Sequence, residues 1–365
     1  MLGVTSHDAP YGMLPELLSA PVGSLSAVTM TGDQVRQVIN DATAHRVLGP
    51  TLLAVLESGV EAPGLVDGLT ERLRGAMAWC LELELRLLEV REWFDDAGGV
   101  EFVALKGPAV AHQDELDPTL RSFADLDLLI HARDMDRAIE ALGCHGAKRR
   151  IPQRRPGFDR RFVKGVGATC ADGIEIDVHR TLCVGALGFR IPLDDLFAQA
   201  DHMVIGGERF ATLSLAHRAL HTAYHAVVGS PQPALHTLRD MAGYMTRSEL
   251  TVEAVTSEAG RWRGTTVLHQ AVSATLGSLR VDASAWREWH DRFTPDPGDL
   301  RLIEHSQVES ARPLEPSILR ELPWRDRAAY LWAVAVPAPE VLTDRGQTRI
   351  GRLIEGITNS TGHTP

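Results

Sequence analysis

The sequence predicts an α+β protein: a small mixed sheet flanked by N- and C-terminal helical domains. Apolar residues recur at intervals of three and four before residue 98 and again after about residue 200, as they do on amphipathic helices. Between 99 and 200 the pattern changes to short apolar runs separated by helical segments, which indicates strands alternating with helices. We therefore expect a tail at 1–30, a helical region at 31–98, a sheet domain at 99–200 and a helical domain at 201–365.

The N-terminal region predicts a tail followed by two helices. Residues 1–30 are rich in Gly, Ser and Pro, which predicts a mobile segment with Met30 as a later candidate start. Thr31 or Asp33 is a suitable N-cap for the first helix. The stretch 65–98 predicts a long amphipathic helix that ends at Gly98-Gly99. Three of its residues share a stripe and are predicted to be core: Trp79, Leu83 and Leu87.

The sequence of the sheet domain predicts alternating strands and helices, with the helices on one face of the sheet. Gly107 opens a helix directly after the first strand, so backbone N–H groups and the positive end of the helix dipole would face an anion there. The last two strands are expected to be antiparallel neighbours joined by a turn at 171–173. The expected strands are 100–105, 124–130, 160–166 and 173–180, and the expected helices begin at Gly107 and at Ala132.

Three aspartates alternate with apolar residues on the predicted strands. Asp125 and Asp127 project to one side of their strand, whereas Leu126 and Leu128 project to the other, into a core. Asp177 has the same kind of setting about fifty residues later. Clustered carboxylates repel each other unless a cation lies between them, and Mg²⁺ favours carboxylates together with substrate phosphates. The pattern therefore predicts a magnesium site.

These residues also carry a resemblance. Leu105-Lys106-Gly107, Arg121 shortly before Asp125-Leu126-Asp127, and Ile176-Asp177-Val178-His179 resemble the polymerase-β-like nucleotidyltransferases, and more narrowly the bacterial family of uncharacterised nucleotidyltransferases. The resemblance covers roughly 100–180 well and extends more loosely to 31–60, to His221, His225 and Arg239-Asp240, and to 336–340. Two features depart from the superfamily pattern. Pro108 replaces a small hydroxylated residue, and the sixteen residues between Pro108 and Asp125 suggest an inserted loop over the site.

The resemblance implies a Mg²⁺-dependent enzyme that moves a nucleoside monophosphate from an NTP, with ATP the expected one, to a hydroxyl of a small molecule or peptide. Asp125 and Asp127 would hold metal with the nucleotide, and Asp177 would hold the metal that activates the acceptor hydroxyl. Lys106, Gly107 and Arg121 would bind the triphosphate, although Arg121 could instead neutralise the carboxylates. His179 could orient Asp177, act as a base, or be a hydrogen-bonded core residue.

Three further features keep alternative interpretations open. His221 and His225 lie one helical turn apart, as zinc ligands would, but a packing role between the domains is the default, and the resemblance also allows a role at the acceptor site. Arg239-Asp240 reads as a local ion pair or as site residues. The segment 148–164 carries eight Lys or Arg and one Asp; it is either a solvated loop or a border of the active site that holds phosphate or an acidic acceptor.

Composition restricts the function classes. The net charge of −11 argues against bulk nucleic acid as a partner. The chain has no run of 18 apolar residues and no secretory pattern, and its four cysteines lack metal-type spacing, so we expect a cytoplasmic protein with reduced thiols. Two rival functions remain: phosphoryl or glycosyl transfer at the same site, and a non-catalytic, antitoxin-like nucleotide-binding module.

Overall fold

The computed structural model of the chain describes residues 11–19, 29–308, 317–336 and 338, and it confirms the α+β class. Within these residues seven strands form a mixed sheet in the order β3-β4-β5-β2-β1-β7-β6. The strands are β1 (Phe102–Leu105), β2 (Leu126–Ile130), β3 (Lys148–Arg149), β4 (Gly165–Thr169), β5 (Glu175–His179), β6 (Asp201–Ile205) and β7 (Glu208–Thr212).

Helices precede, interrupt and follow the sheet. Those before it are α1 (Leu14–Ser19), α2 (Gly32–Ala44), α3 (Leu48–Ser58) and α4 (Leu65–Asp96). Those between strands are α5 (Gly107–Asp114), α6 (Met135–Cys144), α7 (Asp159–Phe162), α8 (Gly185–Gly188) and α9 (Leu193–Ala198). Those after the sheet are α10 (Leu215–Val227), α11 (Leu235–Thr246), α12 (Val252–Arg261), α13 (Thr265–Ser278), α14 (Ser284–Arg292), α15 (Pro297–Val308), α16 (Ile318–Glu321) and α17 (Trp324–Ala335).

The sheet is covered on both faces, not on one as predicted. Alternation along β2 sends Leu126 and Leu128 into a core shared with α4, where Leu83 and Leu87 are fully buried. Leu129 faces the opposite core, which the N-terminal helices and α10 to α13 build. Asp127 lies on the same side as Leu129, so the carboxylate face of the sheet meets the helical domain.

The helical domain begins later than predicted. Residues 201–212, expected to start it, form the hairpin β6–β7, and β7 pairs in parallel with β1. The turn consists of Gly206 and Gly207, both with positive φ, so a Gly-Gly signal was present in the sequence. The predicted strand at 160–166 is also partly wrong. Residues 159–162 form α7, and the strand begins only at Gly165.

The N-terminal predictions have mixed outcomes. Thr31 caps α2 in a capping box with Gln34, and α4 ends just before the predicted glycines, with Ala97 as its C-cap. Residues 14–19, inside the predicted mobile tail, form a helix whose Leu14 and Leu17 are buried, so apolar packing fixes this part. The rest of the tail, residues 1–10 and 20–28, lies outside the described residues, as do 337, 339 and 340. Trp79 is 37% exposed, and its indole N–H donates to the Ala124 carbonyl at 3.2 Å.

None of the helices in the described part of the chain combines the length and apolar character that crossing a bilayer requires.

Candidate metal and nucleotide site

Neighbouring strands bring two of the three predicted carboxylates together, Asp127 and Asp177. In the parallel register of β2 and β5, Asp127 lies beside Asp177, and His179 follows on the same face. One potential ligand atom from each of these three residues lies within 4.8 Å of the others. Asp125 precedes β2 by one residue. Burial, followed by the charge of Asp127, raises the pKa of Asp125, which shows that the like charges affect one another.

Asp127 is nearly fully buried and has two partners on one oxygen. The Lys106 Nζ donates to Asp127 Oδ1 at 2.8 Å, and His179 Nε2 lies 2.6 Å from the same atom. Burial opposes ionisation of Asp127, but the Lys106 charge and the His179 hydrogen bond outweigh it and hold the pKa well below its usual range. No hydrogen bond to Asp127 Oδ2 occurs among the described residues, which leaves that oxygen available to a cation.

Lys106 reaches the site through an unusual backbone conformation. With φ 47° and ψ −118°, it leaves the alternation of β1 directly after Leu105. An ordinary strand conformation would have continued the alternation. The turn instead directs the ammonium group onto Asp127, and the role of Lys106 in binding the triphosphate remains a prediction.

Gly107 begins α5 and is buried. A Cβ atom there would lie 2.5 Å from Phe123 Cβ and 2.6 Å from Phe123 Cγ, so packing against Phe123 requires glycine. This requirement exists without any nucleotide, and the phosphate cradle at Gly107 remains a prediction. Pro108 falls in the first turn of α5, where a missing backbone N–H costs nothing.

His179 is buried and contacts Asp127, rather than Asp177 as one interpretation held. Its Nδ1 atom has no partner among the described residues. Burial and the nearby Lys164 charge lower the pKa of His179, although Asp127 acts in the opposite direction. The arrangement suits a neutral imidazole that holds Asp127 in place.

Arg121 pairs with Asp240 rather than with Asp127 or Asp177, and it lines the same cavity as Lys106. Its guanidinium is buried against Asp240, with Nη2 2.9 Å from Oδ2 and Nε 3.2 Å from both carboxylate oxygens. Arg239 forms the expected local pair with Asp240 at 3.9 Å, and its closer partner is Glu115 at the end of α5. These pairs join the sheet domain to α11, and a role of Arg121 in nucleotide binding remains a prediction.

Two cations of the basic segment border the site. Arg150 binds Glu175 and Asp177, and Lys164 lies close enough to Lys106 and Asp127 to interact with their charges. Burial, followed by the charge of Lys106, lowers the pKa of Lys164. Other basic residues of the segment pair with carboxylates outside the site: Arg149 with Asp159, Arg160 with Asp136, and Arg161 with Asp326. The site-bordering interpretation therefore applies to part of the segment.

Helix α10 contributes two histidines to the lining of a cavity, and their lowered pKa values favour the neutral ring. His221 is buried, and its Nε2 has no partner among the described residues. His225 is more exposed, and desolvation of its ring, followed by the charge of Lys106, lowers its pKa well below the usual value. Both line a cavity of about 40 Å³ together with Lys106 and His236. In the described part of the chain, the three-residue metal group is Asp127, Asp177 and His179, so no zinc site forms around His221.

Comparison with known proteins places the chain beside nucleotidyltransferases in sequence and in structure. A sequence model described as an uncharacterised nucleotidyltransferase matches residues 32–275, a range that includes every residue predicted for the site. A solved structure, that of an antigenic nucleotidyltransferase-like protein from Paracoccidioides brasiliensis, is similar with a TM-score of 0.32 and 11% identity, over 56% of this chain and 97% of that chain. No curated protein matches the chain.

Proposed function

Because the chain belongs to the family of uncharacterised nucleotidyltransferases, we propose that it transfers a nucleoside monophosphate from an NTP, with Mg²⁺, to a hydroxyl of a small molecule or peptide. One observation carries the proposal: Asp127 and Asp177 lie side by side on adjacent strands, at the face where the sheet meets the helical domain. Paired carboxylates backed by lysine and histidine form a site for a cation and phosphates.

The donor atoms fit magnesium. Asp127 and Asp177 supply carboxylate oxygens, which this hard cation prefers, and Asp125 is near enough for its charge to interact with both. The nitrogen of His179 is a poor ligand for Mg²⁺ and is already engaged with Asp127, so His179 is a positioning residue. When bound, the ion would supply charge neutralisation at the phosphates and lower the pKa of the acceptor hydroxyl.

The protein's own groups would align the reaction. Lys106 and the backbone N–H groups at the start of α5 would balance the triphosphate charge, and His179 would keep Asp127 ionised and oriented. The acceptor oxygen attacks the α-phosphorus in line. A new P–O bond forms there, the bond to the β-phosphate oxygen breaks, pyrophosphate leaves, and the hydroxyl proton passes to solvent or a base. The rate enhancement comes from positioning and charge stabilisation rather than from a covalent enzyme intermediate.

Helix α10 would form the acceptor side of the cleft. His225 is exposed there, and the low pKa keeps it neutral at pH 7, so it can hydrogen-bond a hydroxyl without attracting an anion. His225 Nδ1 lies 3.1 Å from Thr237 Oγ1, which fixes one side of the ring and leaves Nε2 for the acceptor.

Two measurements test this function. Calorimetric titration with ATP should show Mg²⁺-dependent binding that disappears in Asp125→Asn and Asp127→Asn, while the exposed-carboxylate control Asp172→Asn keeps it. Unchanged Mg²⁺ dependence in both site variants would refute the metal site. Incubation with α- and γ-labelled NTPs and candidate acceptors then separates the reactions, because only nucleotidyl transfer moves the α-label, and the product mass identifies the group added.

A further inference from the structure

Arg150 crosses the sheet to reach the metal-site carboxylates. It follows β3 at the sheet edge, and its backbone N–H donates to the Gly167 carbonyl of β4 at 2.9 Å. The side chain then extends over β4 to β5. There Nη2 contacts Asp177 Oδ1 and Nη1 lies 2.8 Å from Glu175 Oε2. The side chain is 37% exposed, so it lies at the rim of the cleft rather than in the core.

Gly167 makes this crossing possible. It is the direct register partner of Asp177 across β4 and β5. A Cβ atom added at Gly167 would overlap the Arg150 guanidinium. A glycine inside a strand costs stability, and close approach of another group is one reason for its presence. Glycine at position 167 therefore leaves the space that the Arg150 guanidinium occupies.

Both carboxylates of the three-residue metal group, Asp127 and Asp177, thus have a cationic or hydrogen-bonding partner from the protein. Lys106 and His179 share one oxygen of Asp127, and Arg150 holds one oxygen of Asp177. A divalent ion that arrives alone has to displace Arg150 or accept the repulsion of its charge. A phosphate offers the guanidinium fork an equivalent bidentate partner, and Glu175 keeps the side chain at the rim during the exchange.

We propose that Arg150 is the resident counter-cation of Asp177 and becomes a phosphate ligand when nucleotide binds, so that metal and nucleotide enter the site together. The inference rests on the proposed function, because it requires a phosphate-bearing substrate at this metal site. It assigns to Arg150 the coupling between the two ligands. In the absence of nucleotide, the protein should bind divalent ions weakly.

The test is Mn²⁺ binding to the full-length protein, measured by electron paramagnetic resonance with and without α,β-methylene-ATP, a non-reacting nucleotide. Arg150→Ala removes the counter-cation, whereas Gly167→Ala displaces it without changing the net charge. Arg160→Ala is the control, because it removes the same charge from the same segment without touching the site. We expect Mn²⁺ alone to bind about tenfold more tightly or better in Arg150→Ala and Gly167→Ala, and close to wild type in Arg160→Ala. Nucleotide binding should weaken in Arg150→Ala.

The outcomes separate this inference from the proposed function. If Mn²⁺ binds with the nucleotide but its affinity alone is the same in wild type and Arg150→Ala, the coupling is refuted and the transferase proposal stands. An increase in Arg160→Ala equal to that in Arg150→Ala also refutes it, because only net charge would then matter. If no variant binds Mn²⁺ in a manner that Asp127→Asn abolishes, the metal site itself is refuted. Since Arg150→Ala alters a rim side chain, the test does not depend on the folding of Gly167→Ala.

Discussion

Asp240→Asn should destabilise the protein strongly, because it leaves the Arg121 guanidinium buried without its counter-charge. Arg121 is 5% exposed and Asp240 is 8% exposed. The pair makes contacts of 2.9 to 3.2 Å through two guanidinium nitrogens, and Asn replaces them with neutral hydrogen bonds at best. Removing one partner of a buried pair typically costs about 3–5 kcal/mol. We expect a loss of this size.

Calorimetric melting and urea titration measure the loss, and a second variant tests its cause. Arg121→Met combined with Asp240→Leu removes both charges and should recover most of the stability, since apolar replacement of a buried pair is often neutral. Asp33→Asn is the exposed control. Its partner Arg36 is largely in solvent, so the change should cost less than about 1 kcal/mol.

Two results would refute the reasoning. A loss under about 1 kcal/mol in Asp240→Asn would mean that water reaches Arg121, and a double variant as unstable as the single one would mean that packing rather than charge is decisive. The affinity for ATP separately tests whether Arg121 binds the triphosphate, as predicted. It should be unchanged in Asp240→Asn if Arg121 only joins the domains, and altered if Arg121 contacts the nucleotide.

Three other predictions follow from the site. Gly107→Ala should lower the free energy of unfolding by roughly 1–3 kcal/mol because its Cβ meets Phe123, and an unchanged melting temperature would contradict this packing. Burial lowers the pKa of His236 to about 4, whereas an unfolded histidine titrates near 6.5. The unfolded state thus binds more protons between these values, so the contribution of His236 to stability should fall by about 1 kcal/mol per unit as pH drops from 6.5 to 4, and His236→Gln should make the profile less steep by that amount. Asp177→Asn should lower the single-turnover rate about a hundredfold while the NTP dissociation constant changes only a few-fold; lost affinity at an unchanged rate would reverse its assigned role.

Local patterns were sufficient to predict much of the fold. The period of two around Asp125 and Asp127 predicted β2 and its two faces, and the long period of three and four predicted α4. The hairpin β6–β7 was not predicted because the helical pattern after residue 212 was taken to begin before it. Gly206-Gly207 is the turn signal that separates the two strands. The helix at 14–19 was not predicted because residues 1–30 are rich in Gly, Ser and Pro. This composition outweighed Leu14 and Leu17, the two buried leucines that hold the helix in place.

The site was predictable where residues share a strand and less so where they meet across the fold. Asp127, Asp177 and His179 follow from alternation plus adjacent pairing. Register alone could not reveal that His179 would contact Asp127, since that depends on side-chain direction across two strands. The Lys106 contact depends on one unusual backbone conformation. The partners Arg121–Asp240 and Arg150–Asp177 are separated by 119 and 27 residues, and no local pattern encodes such pairs.

The parallel pairing of β7 with β1 has a consequence for substrate selection. Only residues 213 and 214 separate β7 from α10, and Arg218 in the first turn of α10 binds Asp114 at the end of α5 at 2.9 Å. With so short a connection and this second anchor, the histidine-bearing helix cannot swing away from the sheet as a lid would. If α10 forms the acceptor side of the cleft as proposed, the width of the cleft there is fixed by the fold, and a different acceptor would require changed side chains at 221, 222 and 225 rather than a changed angle between domains.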